Sequence, residues 1–189
     1  MKSRRLAGHK TRNDYRSYEE EHLRSERSAL MLAMRPARIF ISYRWTDAGW
    51  PVRWLAEWLA GQFGAGVVFL DADSIRPGDD FAAKIEAAVG ACSVLLVVIG
   101  PQWLAAEGNV GRRLDDPEDW VRLEIELAIE RGIRVIPVLV NGARMPSPRE
   151  LPLSLRALAC RQAVELNPAS PDTRRLASVL ADALALEAS

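Results

Sequence analysis

Histidine and cysteine are scarce in this chain of 189 residues. The only histidines, His9 and His22, fall within the first 36 residues, and Cys92 and Cys160 have neither CxxC nor Cys/His spacing. A histidine general base, a Ser-His-Asp system and a zinc site are therefore excluded, unless the N-terminal segment reaches across to the rest of the chain. We expect both cysteines to be buried free thiols, which suits a reducing cytoplasm. Carboxylates and arginines are left to carry any chemistry.

Long apolar runs and net charge are also lacking. The apolar run at residues 94–99 is far shorter than the ~20 residues that span a bilayer. Lys plus Arg and Asp plus Glu both number 25, so the net charge is zero and does not attract the molecule to nucleic acid or an anionic membrane. No P-loop motif occurs, and Gly61, Gly64 and Gly66 precede a predicted strand, which is the wrong context for a dinucleotide fingerprint. We expect a cytoplasmic protein without a metal, a cofactor or a direct nucleic-acid or membrane partner.

The composition changes near Pro36. Residues 1–36 hold nine Lys and Arg against five Asp and Glu, a charge of +4 that leaves −4 for the remainder. The start of this arm has the composition of disordered chain, and a thin apolar stripe indicates a helix over about residues 14–34. Two interpretations stay open for the arm, a docking or oligomerisation segment and a solvated tail.

Residues 37–189 have the pattern of a single α/β domain. Short runs rich in Val and Ile alternate with segments of period near 3.6, which is typical of a parallel sheet flanked by helices. The predicted strands are residues 38–43, 67–70, 93–99, 134–139 and 162–166, and the predicted helices are residues 49–62, 79–90, 117–131 and 171–187. The proline-rich segment 141–152 is predicted to be a loop, with at most a short helix.

An open sheet of this size favours the flavodoxin-like strand order 2-1-3-4-5. Ligands then bind beyond the carboxyl ends of the strands, between strands one and three, where the order reverses. The predicted site takes its side chains from the segments that follow the first three strands: Ser42, Tyr43, Arg44, Asp71, Asp73, Pro101, Gln102 and Trp103.

One carboxylate lies on the apolar side of the helix predicted at residues 117–131. Asp116 is the predicted N-cap, with Asp119 three residues on as in a capping box. At about 100° per residue, Glu124 falls one turn after Trp120, inside the apolar arc. A carboxylate there costs several kcal/mol unless it is paired or faces a cavity, so Glu124 is a candidate functional residue. The alternative is a structural ion pair, for instance with Arg44 or Arg53.

Four segments together resemble the Toll/interleukin-1 receptor (TIR) domains, in particular the bacterial ones, over about residues 37–186. They are residues 38–44 (RIFISYR), 68–81 (VFLDADSIRPGDDF), 95–103 (LLVVIGPQW) and 120–124 (WVRLE). Many TIR domains cleave NAD+ or convert it to cyclic ADP-ribose isomers, and they carry a glutamate four residues after a Trp or similar residue on the helix after strand three. Other TIR domains only bind each other, and they commonly lack this glutamate.

The resemblance implies that Glu124 is the catalytic carboxylate of an NAD+ glycohydrolase. It also implies a set of substrate-binding residues: Trp120, Arg44, Ser42, Asp71 and Trp103. Core packing stays open for the two tryptophans, and a structural role stays open for Ser42 and Asp71. Trp45 stands where many enzymatic members have a second basic residue. The loop at residues 107–119 is long and rich in charged residues. Phosphate contacts are therefore not transferred from the family residue by residue.

The resemblance also places a BB loop at residues 72–80. We expect four residues of this loop to mediate head-to-tail TIR–TIR self-association, filaments included: Ile75, Arg76, Pro77 and Gly78. Because nicotinamide is already a cationic leaving group, its bond to ribose breaks without a general acid, which fits a chain poor in histidine. NAD+ is then a substrate and not a cofactor. The predicted protein is an effector of bacterial antiphage defence that hydrolyses or cyclises NAD+, and the alternative is a non-catalytic self-association module in signalling.

Overall fold

The computed structural model describes residues 38–64, 66–70, 81–108, 111–167 and 173–185. These ranges contain seven strands: β1 (Ile39–Ser42), β2 (Val68–Leu70), β3 (Val94–Ile99), β4 (Glu107–Gly108), β5 (Gly111–Arg112), β6 (Arg134–Val140) and β7 (Val164–Leu166). They also contain five α-helices: α1 (Trp45–Phe63), α2 (Phe81–Gly90), α3 (Trp120–Glu130), α4 (Arg156–Ala159) and α5 (Arg174–Ala185). The predicted arm at residues 1–36 and the predicted BB loop, with Asp71, lie outside the described residues.

Five of the strands form one parallel sheet, and the predicted fold class is confirmed. The strand order is β2-β1-β3-β6-β7, which is the predicted 2-1-3-4-5 order once the short β4–β5 hairpin is left aside. Phe40 of β1 aligns with Phe69 of β2 on one side and with Leu95 of β3 on the other. The order reverses between β1 and β3, so a crevice is expected beyond the ends of these strands.

Each face of the sheet has its own apolar core. Successive side chains of a strand point to opposite faces, and Ile39 and Ile41 of β1 pack on one face while Phe40 packs on the other. The first core contains buried residues of α1 and α5, and the second contains buried residues of α2, α3 and α4. In β3 every residue is buried, as expected for the central strand of a parallel sheet.

The predicted start of α3 is wrong by three residues. The N-cap is Asp119 and not Asp116, because the Asp119 carboxylate accepts a hydrogen bond from the Arg122 backbone N–H and the helix begins at Trp120. The carboxylate of Asp116 instead accepts the backbone N–H of Glu118, at 2.9 Å, in the turn before the helix.

Three further details differ from the prediction. Cys92 is buried as predicted, but Cys160 is exposed. The helix predicted from residue 49 begins at Trp45, with a non-helical residue at Ala48. The short strands β4 and β5 pair as an antiparallel hairpin, which the charged composition of that segment did not predict. In the proline-rich loop, the structure contains a 3₁₀ turn at Pro148–Glu150. Among the helices that the structure describes, none is long and apolar enough to cross a membrane.

Candidate active site

Glu124 lies on the buried side of α3, as the helical periodicity predicts. It has no exposed surface, and its buried neighbours on the helix are Val121, Ile125 and Ala128. The two arginines suggested as structural partners are engaged elsewhere. Arg44 binds Asp119, and Arg53 lies 3.8 Å from Glu57 on the exposed side of α1. A carboxylate at such a position is a candidate for function on physical grounds.

Asp119 binds four donors just before α3. Arg44 donates from both terminal nitrogens to the two carboxylate oxygens, at 3.0 and 2.9 Å. Arg113 donates from Nε to Oδ2 at 3.1 Å, and the backbone N–H of Arg122 donates to Oδ1 at 3.1 Å. The Arg44 and Asp119 side chains are 1% and 2% exposed, so this is a buried, bidentate ion pair. Sequence reasoning did not find this pair, because its members are 75 residues apart.

Ser42 and Arg44 lie at the carboxyl end of β1, as predicted. Ser42 has no exposed surface, and its hydroxyl has no hydrogen-bond partner among the described residues. Arg44 is 3% exposed and directs its two terminal nitrogens to Asp119. The resemblance leaves two roles open for Arg44, a contact with the diphosphate of NAD+ and the ordering of carboxylates, and this geometry favours the second.

Trp103 follows β3 and is completely buried in the second core. Its indole nitrogen has no hydrogen-bond partner among the described residues. Of the two roles considered for Trp103, the burial favours core packing over contact with a ligand. Asp71 lies outside the described residues, so its role stays a prediction.

Asp47 joins the first turn of α1 to the loop after β3. Its carboxylate accepts the backbone N–H groups of Gly100 and Gln102, at 3.0 and 2.8 Å. Gly100 is required at this contact, because a Cβ atom there would lie 2.5 Å from an Asp47 oxygen. The carboxyl edges of the two strands that flank the expected crevice are therefore held together by one side chain.

A cleft of about 820 Å³ lies beside the start of α3. Trp120 and Leu123 form part of its wall, and Glu107, Asp116 and Glu118 are among its acidic lining residues. Glu124 is not among the residues that line this cleft. Trp120 is half-buried, lines the cleft and lies one turn before Glu124 on the same side of the helix.

The charged segment between β3 and α3 is held in place by arginines. Arg112 forms a double hydrogen bond with Asp115 and donates to the backbone carbonyl of Glu150, which tethers the hairpin to the loop after β6. The Arg112 hydrogen bond lowers the pKa of Asp115, and the same bond raises the pKa of Arg112. Arg122 donates to the Asp115 carbonyl and to Glu126. Local ion pairs thus fix the segment that leads from the hairpin to α3, next to the cleft.

The chain belongs to the TIR domain family, whose family model matches residues 39–180. No curated protein matches the chain. Among solved structures, the TIR domains of the activated Roq1 resistosome, which directly recognizes the pathogen effector XopQ, are 16% identical, with 80% of this chain and 83% of that chain covered and a TM-score of 0.45. The TIR domain of the Toll-related receptor TRR-2 from Hydra magnipapillata is 20% identical, with coverages of 77% and 96% and a TM-score of 0.47. Since both TM-scores are below 0.5, these two similarities support no functional inference.

Proposed function

We propose that this chain is an NAD+ glycohydrolase of the TIR type, with Glu124 as its catalytic carboxylate. The observation that carries the proposal is the complete burial of Glu124 on α3, one turn after Trp120, whose side chain lines the cleft. A negative charge held in a site shielded from water stabilises a developing cation far more strongly than the same charge does in water.

The proposed reaction breaks the bond between C1′ of the nicotinamide ribose and the nicotinamide ring nitrogen. The bonding electron pair passes to that nitrogen and neutralises its positive charge, while C1′ becomes an oxocarbenium-like centre. Water then adds to C1′ and releases a proton, which gives ADP-ribose and free nicotinamide. If a nucleophilic atom of the same molecule adds instead, the product is a cyclic isomer.

Access to Glu124 requires a side chain to move, because the carboxylate is completely buried. Trp120 is half-buried, lies at the edge of the cleft and precedes Glu124 by one turn. Rotation of the Trp120 indole toward the cleft would open a path to the carboxylate, and the displaced indole would remain available to stack on the nicotinamide ring.

The test is direct. The full-length protein, at high concentration, is incubated with NAD+, and nicotinamide release and the second product are followed by chromatography. We expect the wild-type protein to release nicotinamide and Glu124→Gln to lower kcat by at least about a hundredfold, which corresponds to about 3 kcal/mol. Glu130→Gln, on the exposed side of the same helix, is the matched control and should retain full activity. A wild-type protein that releases no nicotinamide would contradict the proposal.

Self-association is a second candidate role, favoured by exposed aromatic surface. Trp45 and Trp50 in the first part of α1 are each 68% exposed, and tryptophan is enriched at protein–protein interfaces. A non-catalytic module would associate and leave NAD+ intact, so the same chromatography separates the two roles. Action as an antiphage effector in the bacterial cytoplasm belongs to the catalytic proposal, because depletion of NAD+ would be its means.

A further inference from the structure

We infer that Asp119 is a positioning residue, which fixes α3 and thereby places Glu124. This inference rests on the proposed function, since it assigns a role in the same reaction. Asp119 is the N-cap of α3, and Glu124 lies in the second turn of that helix. Any change in the attachment of the helix start is therefore transmitted to Glu124 within about 1.5 turns of rigid helix.

The start of α3 is attached to the segment that follows β1, a strand in the interior of the sheet. Arg44 lies two residues after β1, and its guanidinium holds the Asp119 carboxylate through two parallel hydrogen bonds. A bidentate Arg–carboxylate pair fixes the plane of the carboxylate as well as its distance. That orientation presents Oδ1 to the backbone N–H of Arg122, which belongs to the first turn of α3. Through these hydrogen bonds, the end of β1 fixes the position of the helix start beside the expected crevice.

One further contact completes the hydrogen bonding of the Asp119 carboxylate. Arg113 donates to Oδ2 from the cleft side, with its own side chain 41% exposed. Asp119 itself is among the cleft-lining residues although its side chain is only 2% exposed. Both oxygens therefore accept two hydrogen bonds each, and the Asp119 charge is compensated by two arginines.

This arrangement also assigns the role of Arg44. Its charge is matched by a buried carboxylate and its terminal nitrogens are occupied, so Arg44 acts through Asp119 and does not bind substrate phosphate. The two roles predict different kinetics. Loss of a phosphate contact raises KM, whereas loss of helix position lowers kcat and leaves KM nearly unchanged.

The test uses the full-length protein and kinetics per folded molecule. Asp119→Asn retains the size of the side chain and its ability to act as N-cap, but it removes the negative charge that pairs with Arg44. We expect kcat to fall at least about tenfold, with KM changed less than about twofold. Arg44→Met should show the same pattern, and Arg44→Lys should recover part of kcat because a cation is restored. If Asp119→Asn does not fold, Asp119→Ser, which preserves the cap, and the two Arg44 variants carry the test.

A second arm separates positioning from general weakening of the fold. In a Glu124→Gln background, Asp119→Asn should change the residual rate less than about twofold, since the group it positions is already gone. An equal fractional loss in both backgrounds would overturn the positioning role, as would an active wild-type protein whose Asp119→Asn variant keeps full kcat. A raised KM with normal kcat in Arg44→Met would assign Arg44 to substrate instead. If wild-type protein releases no nicotinamide, the proposed function fails and the positioning role fails with it.

Discussion

The carboxylate of Asp47 occupies the place where a side chain on Gly100 would have to be. It accepts the backbone N–H groups of Gly100 and Gln102, and a Cβ atom on Gly100 would lie 2.5 to 2.6 Å from the Asp47 carboxylate atoms. Glycine is thus required by close approach and not by backbone conformation. The contact joins the first turn of α1 to the loop after β3, beside the expected crevice.

Gly100→Ala is expected to destabilise the protein by about 1–3 kcal/mol, because the new methyl group expels the carboxylate from its two hydrogen bonds. Asp47→Ala should cost a similar amount for the same reason. Adding Gly100→Ala to Asp47→Ala should then cost little more, since the clash and the bonds are already gone. Urea unfolding of the two single variants and the double variant measures this coupling. Additive losses would show that the two residues act separately.

Trp120→Ala is expected to raise KM for NAD+ at least about tenfold, since aromatic stacking on a ring is worth about 1–3 kcal/mol by alanine substitution. Trp120→Phe retains a ring and should stay within about threefold of wild type. Initial rates over a range of NAD+ concentrations give KM, and circular dichroism confirms that each variant is folded. An unchanged KM in Trp120→Ala would limit Trp120 to packing against the second core, where it is already partly buried.

Trp50→Ala is expected to weaken self-association at least about tenfold without loss of fold, because the side chain is 68% exposed and a buried interface tryptophan is worth about 2 kcal/mol or more. Sedimentation velocity across a dilution series measures the dissociation constant. Leu153→Ala is the matched control, since Leu153 is 79% exposed but lies in the connection that precedes α4. Equal effects of both substitutions would argue against a specific surface on α1.

Arg144 and Ser147 hold the pKa of Glu150 well below its ordinary value of 4.5, mainly through the hydrogen bond from Arg144. The depressed pKa means that the interaction stabilises the fold above pH 4.5 and is lost as the pH falls through the folded-state pKa. NMR titration of the Glu150 carboxyl group should show its midpoint below 4.5. Arg144→Ala should shift that midpoint upward, whereas Arg149→Ala, at an exposed arginine next to Glu150, should leave it unchanged.

Local patterns were enough to predict the sheet and the buried side of α3. The continuous apolar run of β3 and its Val- and Ile-rich neighbours specify a parallel sheet, and the 3.6-residue period of α3 places Glu124 among buried positions. These features depend on residues close in sequence. The periodicity of the apolar residues is therefore enough to predict them without a structure.

The helix start and the β4–β5 hairpin were not predictable in this way. Both Asp116 and Asp119 are good N-cap residues, and the choice between them depends on Arg44 and Arg113, which hold Asp119 at the start of the helix. Likewise, the turn next to the hairpin is held by side-chain hydrogen bonds between Arg112 and Asp115. The pattern of apolar residues does not predict such bonds. Polar contacts between distant segments leave no periodic signature.

The separation of 75 residues between Arg44 and Asp119 also bears on how long the native state lasts once formed. A contact between segments so far apart closes a long loop, and the entropy of that closure delays such contacts in folding. The ion pair is therefore expected to form after the transition state, so its loss accelerates unfolding and leaves the folding rate nearly unchanged. Asp119, which orients the helix, would then also slow the unfolding of the domain.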